Sequence, residues 1–107
     1  MKKTAVLIYD SFCNFEISVA LEILAPHNRD IVVIAKSKEA ILSEDALRVL
    51  PDKTIFELDI NEYNSFLLPG ASDIKSAIED PEINRFMIFG DNYKALRITK
   101  RVFENIF

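Results

Sequence analysis

The apolar positions follow two different periods along the chain, and the switches between them lay out the elements. Thr4–Tyr9 is a short, unbroken apolar run rich in β-formers, the pattern of a strand covered on both faces. Asp10-Ser11 closes it with turn chemistry. Phe12, Phe15, Val19, Ala20, Ile23 and Leu24 then recur at helical spacing, with Ile17 and Leu21 beside them, and Pro26 ends the run. The spacing predicts a helix with Asn14 as N-cap and Glu16 in the first turn, where a negative charge suits the helix dipole. Ile31–Ala35 reads as a second buried strand. Strand, helix and strand, with both strands almost wholly apolar, imply a parallel sheet and a right-handed crossover.

Farther on, Ala40–Ser43 and Ala46–Leu50 predict two short strands around the turn residues Ser43-Glu44-Asp45, stopped by Pro51-Asp52. Thr54–Leu58 suits a single turn or a short bridge, and Ser65–Leu68 is a third core strand ending at Pro69-Gly70. Ser72 is placed to cap a short helix through Glu79. Asp80-Pro81-Glu82 reads as an N-cap, a proline at the first helical position and an acidic second residue, with Gly90 as the stop of that helix. In Asp91–Phe107, Leu96, Thr99, Phe103 and Ile106 share a helical stripe, which predicts a helix; Lys94–Thr99 also fits the alternation of a short strand. No repeat or linker interrupts the chain, so one α/β domain over residues 1–107 is expected.

Composition narrows the function classes. Half the residues are hydrophobic and 28% are charged, a globular rather than a disordered balance. The net charge is −4 and the 13 basic residues are spread along most of the chain, which argues against nucleic-acid and anionic-membrane partners. One cysteine cannot form an internal disulfide, no Cys/His spacing suits zinc, and the expected compartment is cytoplasmic. The longest apolar runs, Ala5–Tyr9 and Ile31–Ala35, fall far below the roughly 18 to 20 residues of a membrane span. The run after Lys2 and Lys3 stops at Asp10, short of the about 7 to 15 apolar residues of a secretory signal.

Several blocks, in order, resemble a known family. They are Ala5-Val6-Leu7-Ile8-Tyr9-Asp10, Phe12, Phe15-Glu16 and Ala20-Leu21-Glu22-Ile23-Leu24, then Ser43 to Leu47, Pro51-Asp52-Lys53-Thr54 and Tyr63-Asn64-Ser65-Phe66-Leu67-Leu68-Pro69-Gly70. Over residues 4 to about 90 the chain resembles the N-terminal half of the ThiJ/PfpI family, most distinctively in the strand ending Leu68-Pro69-Gly70. The resemblance implies the class I glutamine-amidotransferase-like fold, a flavodoxin-like three-layer α/β sandwich with a mostly parallel sheet. There are departures. Ser11 stands where the family often has glycine, Ala71 replaces a second glycine after Leu-Pro-Gly, and Asn64 replaces a frequent aspartate. Family members continue with a strand, a nucleophile elbow that usually holds a cysteine, and a later histidine, and Lys94–Phe107 matches none of these. The expectation is a shortened relative without the family's cysteine-dependent peptidase-, amidotransferase- or deglycase-like activity and without a cofactor. A sheet cut after three core strands predicts self-association, exchange of the C-terminal segment, or a companion chain over the open sheet edge.

The residues that could bear chemistry are few. Glu16 follows the first strand, and in parallel α/β sheets ligands bind beyond the carboxyl ends of the strands. By resemblance it matches a glutamate that hydrogen-bonds the family's nucleophilic cysteine; by itself it is an acidic first-turn residue. The Gly70 N–H matches a family oxyanion donor, and a tight turn with positive φ is the plainer reason for a glycine there. Cys13 lies where a helix N-terminus would lower its pKa and Glu16 would oppose that, and a lone cysteine also serves as a small buried hydrophobe. Asp10, Cys13, Glu16, Gly70 and Ala71 together suggest an alternative function, a small module sensing a metabolite or an oxidant. His27 falls at the opposite end of the first helix from Cys13, which excludes a Cys–His dyad within the chain. The scattered carboxylates form no expected pair or metal site, and two glycines allow no phosphate-cradling loop.

Overall fold

A computed structural model describes residues 3–27 and 30–91. The elements run β1 (Lys3–Leu7), α1 (Asn14–Leu24), β2 (Ile31–Ala35), β3 (Ile41–Leu42), β4 (Arg48–Val49), β5 (Lys53–Thr54), β6 (Tyr63–Leu67), α2 (Ile74–Glu79) and α3 (Pro81–Asp91). Short 3-10 turns follow α1 and link β5 to β6. Four strands form a sheet in the order β5-β2-β1-β6, and every pairing in it is parallel. β3 and β4 make a separate antiparallel hairpin, as the turn residues between them predict.

Strand periodicity sorts β1 into two cores. Ala5, Leu7 and Tyr9 join Ile34, Tyr63, Phe66, Ala77 and Ile83 on the face covered by α2 and α3. Val6 and Ile8 join Phe12, Ile17, Ala20, Ala35 and Leu67 on the face covered by α1. The result is a three-layer α/β arrangement with β1 in the middle, which explains why its sequence is apolar at every position. Leu7, Ile34 and Phe66 are fully buried, and each such side chain contributes about 1.5–3 kcal/mol. Thr4 and Ser65 are buried between β1 and β6, where their hydroxyls bond each other. The ladder slips there: Lys3 pairs with Tyr63 but Thr4 pairs with Ser65, leaving Asn64 as the extra residue.

Some local expectations change. The cap of α1 is Cys13, not Asn14, and it offers no side-chain bond, because the first turn is held from outside the helix as described below. The cap of α2 is Asp73, one residue beyond Ser72; its carboxylate accepts the Ser76 N–H at 3.2 Å. Asp80 caps α3 as its sequence predicts, accepting from the N–H groups of Glu82 at 3.0 Å and Ile83 at 3.2 Å. That helix does not stop at Gly90 but continues to Asp91, since glycine inside a helix costs only about 1 kcal/mol relative to alanine. The helix expected beyond Asp91 lies outside the described residues.

Candidate functional site

β1 connects to β2 on one side, while β6 lies on its other side, so the order of connection reverses between β1 and β6. Ligands of open α/β sheets bind at such a reversal, beyond the carboxyl ends of the strands. Two segments meet there: Tyr9–Cys13 leaving β1, and Pro69–Asp73 leaving β6. The Tyr9 hydroxyl donates to the Pro69 carbonyl. The Cys13 N–H donates to the Gly70 carbonyl at 2.8 Å, and the Ser72 N–H to the Ser11 carbonyl at 3.1 Å. Phe12, fully buried, forms single bridges to both Ser43 and Ala71 and so joins the hairpin to the β6 turn.

Glu16 reaches across this junction from the first turn of α1. Its Oε1 accepts the Gly70 N–H at 2.8 Å. Gly70 does not have a positive φ; the left-handed residues are Ser11 (φ 66°) and Ala46 (φ 67°). The turn reason for a glycine at position 70 is therefore corrected. What the glycine offers is space, because a Cβ there would lie 3.0 Å from Glu16 Oε1, close enough that the carboxylate would have to shift by a few tenths of an ångström. Ser11, at the position where a glycine is expected by resemblance, adopts the left-handed conformation without one.

The electrostatics of the junction disfavour anions. Burial pushes the Cys13 thiol up, a hydrogen bond to the Glu44 carboxylate adds to this, and the Glu16 N–H opposes it. Burial, with Glu16 and Cys13 nearby, pushes the Tyr9 hydroxyl up to about 12. The environment keeps both groups protonated at neutral pH. No group of three or more metal-binding side chains occurs among the described residues.

Solved structures share this architecture. A ThiJ/PfpI family protein from Pseudomonas syringae superposes with a TM-score of 0.74 over 87% of this chain at 20% identity. A two-domain Anabaena variabilis protein with DJ-1/ThiJ/PfpI-like and ferritin-like domains gives 0.71 over 85% at 22% identity. A DJ-1 superfamily protein from Salmonella typhimurium gives 0.69 over 85% at 26% identity. The fold is that of the DJ-1/ThiJ/PfpI structures. The chain spans 39%, 27% and 50% of the lengths of those three. No protein-family model matches the sequence, and no curated protein matches it.

Within this DJ-1/ThiJ/PfpI-like fold, Cys13, Glu16, Gly70 and Ala71 converge at the junction. Asp10, in the same segment, makes none of these bonds and lines an adjoining cavity with Tyr9, Lys36 and Asp80. His27 closes the 3-10 turn after α1, whose eleven residues put it roughly 16 Å from the Cys13 end. Sequence reasoning missed Tyr9, Ser11 and Glu44. Tyr9 gave one signal: a tyrosine closing a buried strand needs a partner for its hydroxyl. Among the described residues no helix is long and apolar enough to cross a membrane.

Proposed function

We propose that this 107-residue chain is a non-catalytic relative of the DJ-1/ThiJ/PfpI proteins, in which the glutamate and the turn glycine of the family site act as a structural clamp. One observation carries the reading: the Glu16 carboxylate and the Gly70 N–H, which by resemblance would serve a nucleophile and an oxyanion, are bonded to each other. Cys13 is the only cysteine in the sequence, so cysteine chemistry in this chain would have to use it. Its environment holds the thiol protonated, whereas a nucleophile or an oxidant sensor needs the thiolate. The same fact weighs against the sensing alternative. A cytoplasmic location and the absence of nucleic-acid partners, cofactor and metal belong to this reading.

Association with a second copy or a companion chain is also part of it. Leu42, Leu47 and Leu50 in and around the hairpin are 43%, 47% and 71% exposed, a cluster of aliphatic side chains in one stretch of chain. Covering such residues is a common reason for association. A companion chain could also supply the nucleophile that this chain does not present, which would restore the relatives' chemistry.

The test is an assay of the purified chain on peptide, amide and carbonyl-adduct substrates, with thiol titration and light scattering alongside. The expected results are no turnover above background, a Cys13 pKa above that of a free thiol, and a defined dimer or larger closed species. Turnover abolished by Cys13→Ser would overturn the non-catalytic reading, and a depressed thiol pKa would favour the sensor. A monomer at high concentration would remove the association.

A further inference from the structure

The cavity lined by Asp10 adjoins the junction through Tyr9 but uses none of the Glu16–Gly70 contact. It measures about 170 Å³ and lies at the carboxyl ends of β1 and β2, under α2 and the start of α3. Ile8, Tyr9, Ile41, Ala77 and Ile83 supply apolar walls, and Asp10, Lys36, Ser76 and Asp80 supply the polar lining. Open to solvent on one side, it has room for a guest of about five or six heavy atoms.

The charges decide what kind of guest. Lys36 Nζ and Asp80 Oδ2 pair at 2.8 Å. The other Asp80 oxygen is occupied by the N–H groups of Glu82 and Ile83, so Asp80 is fully committed. The hydrogen bond from Lys36 holds the Asp80 carboxyl below the usual carboxylate range. Ser76 Oγ is turned to Asp73, donating at 2.7 Å. Asp10 is exposed and makes no hydrogen bond or ion pair with the described residues, which leaves one uncompensated negative charge at the cavity. Among the described residues the one cation of the lining, Lys36, is paired with Asp80, so an anion would meet the Asp10 charge without an unpaired cation to offset it. A divalent metal would find one available carboxylate where several oxygen ligands are needed.

We infer that this cavity binds a small aliphatic primary ammonium, its chain against Ile8, Ile41, Ala77 and Ile83 and its charged end on Asp10. The ammonium displaces no hydrogen bond or ion pair between Asp10 and the described residues. Burying the short chain supplies apolar contact, and the charge-assisted hydrogen bond supplies selectivity over a neutral guest of the same shape.

The experiment is an amide-resolved NMR titration of the 107-residue chain with n-butylamine, n-butanol and butyrate at matched pH and ionic strength. Saturable shifts at Asp10, Lys36, Ala77 and Ile83 are expected with n-butylamine, at concentrations about tenfold or more below those needed for n-butanol. Asp10→Asn, an exposed substitution, should erase that preference, and Ala77→Leu should abolish saturation by filling the cavity. Equal binding of n-butanol, tighter binding of butyrate, no saturable shift with any probe, or an amine preference that survives Asp10→Asn would each overturn the inference. The Asp10 comparison stands even where Ala77→Leu disturbs folding.

Discussion

Two turns at the same edge of the sheet solve opposite problems. After β1, Ser11 takes a left-handed backbone, which a non-glycine residue reaches at a cost of roughly 1–2 kcal/mol. After β6, Gly70 has no positive φ and uses its missing Cβ to let the Glu16 carboxylate approach. Ser11 offsets its strain through three hydrogen bonds. Its N–H donates to the Leu42 carbonyl at 2.8 Å, its carbonyl accepts from Ser72 at 3.1 Å, and its hydroxyl accepts from Asp73 at 3.1 Å. A glycine is thus informative about geometry only once its neighbours are known. One turn is set by backbone torsion and the other by what sits beside it.

The comparison can be broken at four points. Phe12 anchors both turns, and Phe12→Ala should cost about 3–5 kcal/mol in denaturant unfolding, the scale of a large core truncation. A loss below about 1 kcal/mol would show that the turns hold without it. Next comes pH. Tyr9 has its folded pKa raised to about 12 from an ordinary value near 10, so its contribution is complete below pH 10 and is lost as pH rises towards 12. That loss is on the order of 2–3 kcal/mol, and Tyr9→Phe should flatten this limb of the stability profile. Gly70→Ala should cost about 1–2 kcal/mol by displacing the Glu16 carboxylate. In a Glu16→Ala background the same change should be close to neutral, and additivity of the two would contradict the contact. The smallest effect separates strain from bonding at position 11. Ser11→Gly and Ser11→Ala both lose the hydroxyl, so their difference of about 1 kcal/mol, with glycine the more stable, reads the left-handed strain alone.

The layered sheet was legible because buried parallel strands are apolar at every position, as in Ala5–Tyr9 and Ile31–Ala35, and because the helix between them keeps its own period. The cap at Asp80 was legible for a local reason: its partners are the next two or three residues. The site was only half legible. Glu16 and Gly70 stand out by resemblance, yet their bond spans 54 residues and nothing local announces it. The failed assignment of Asn14 has the same origin, since the start of α1 is fixed by a bond from Cys13 to Gly70 rather than by a side chain of its own. Asp10 and Glu16 differ in what they touch, which their positions in the sequence do not announce. Asp10 lines the cavity beside α2 and α3, while Glu16, in the first turn of α1, bonds the Gly70 N–H.

The clamp is tested most directly by hydrogen exchange at the Gly70 amide. Slow exchange is expected in the native chain and a return towards the unprotected rate in Glu16→Ala, with the β1 and β2 amides unchanged. Fast exchange of Gly70 in the unaltered protein, or protection that persists without the carboxylate, would contradict it.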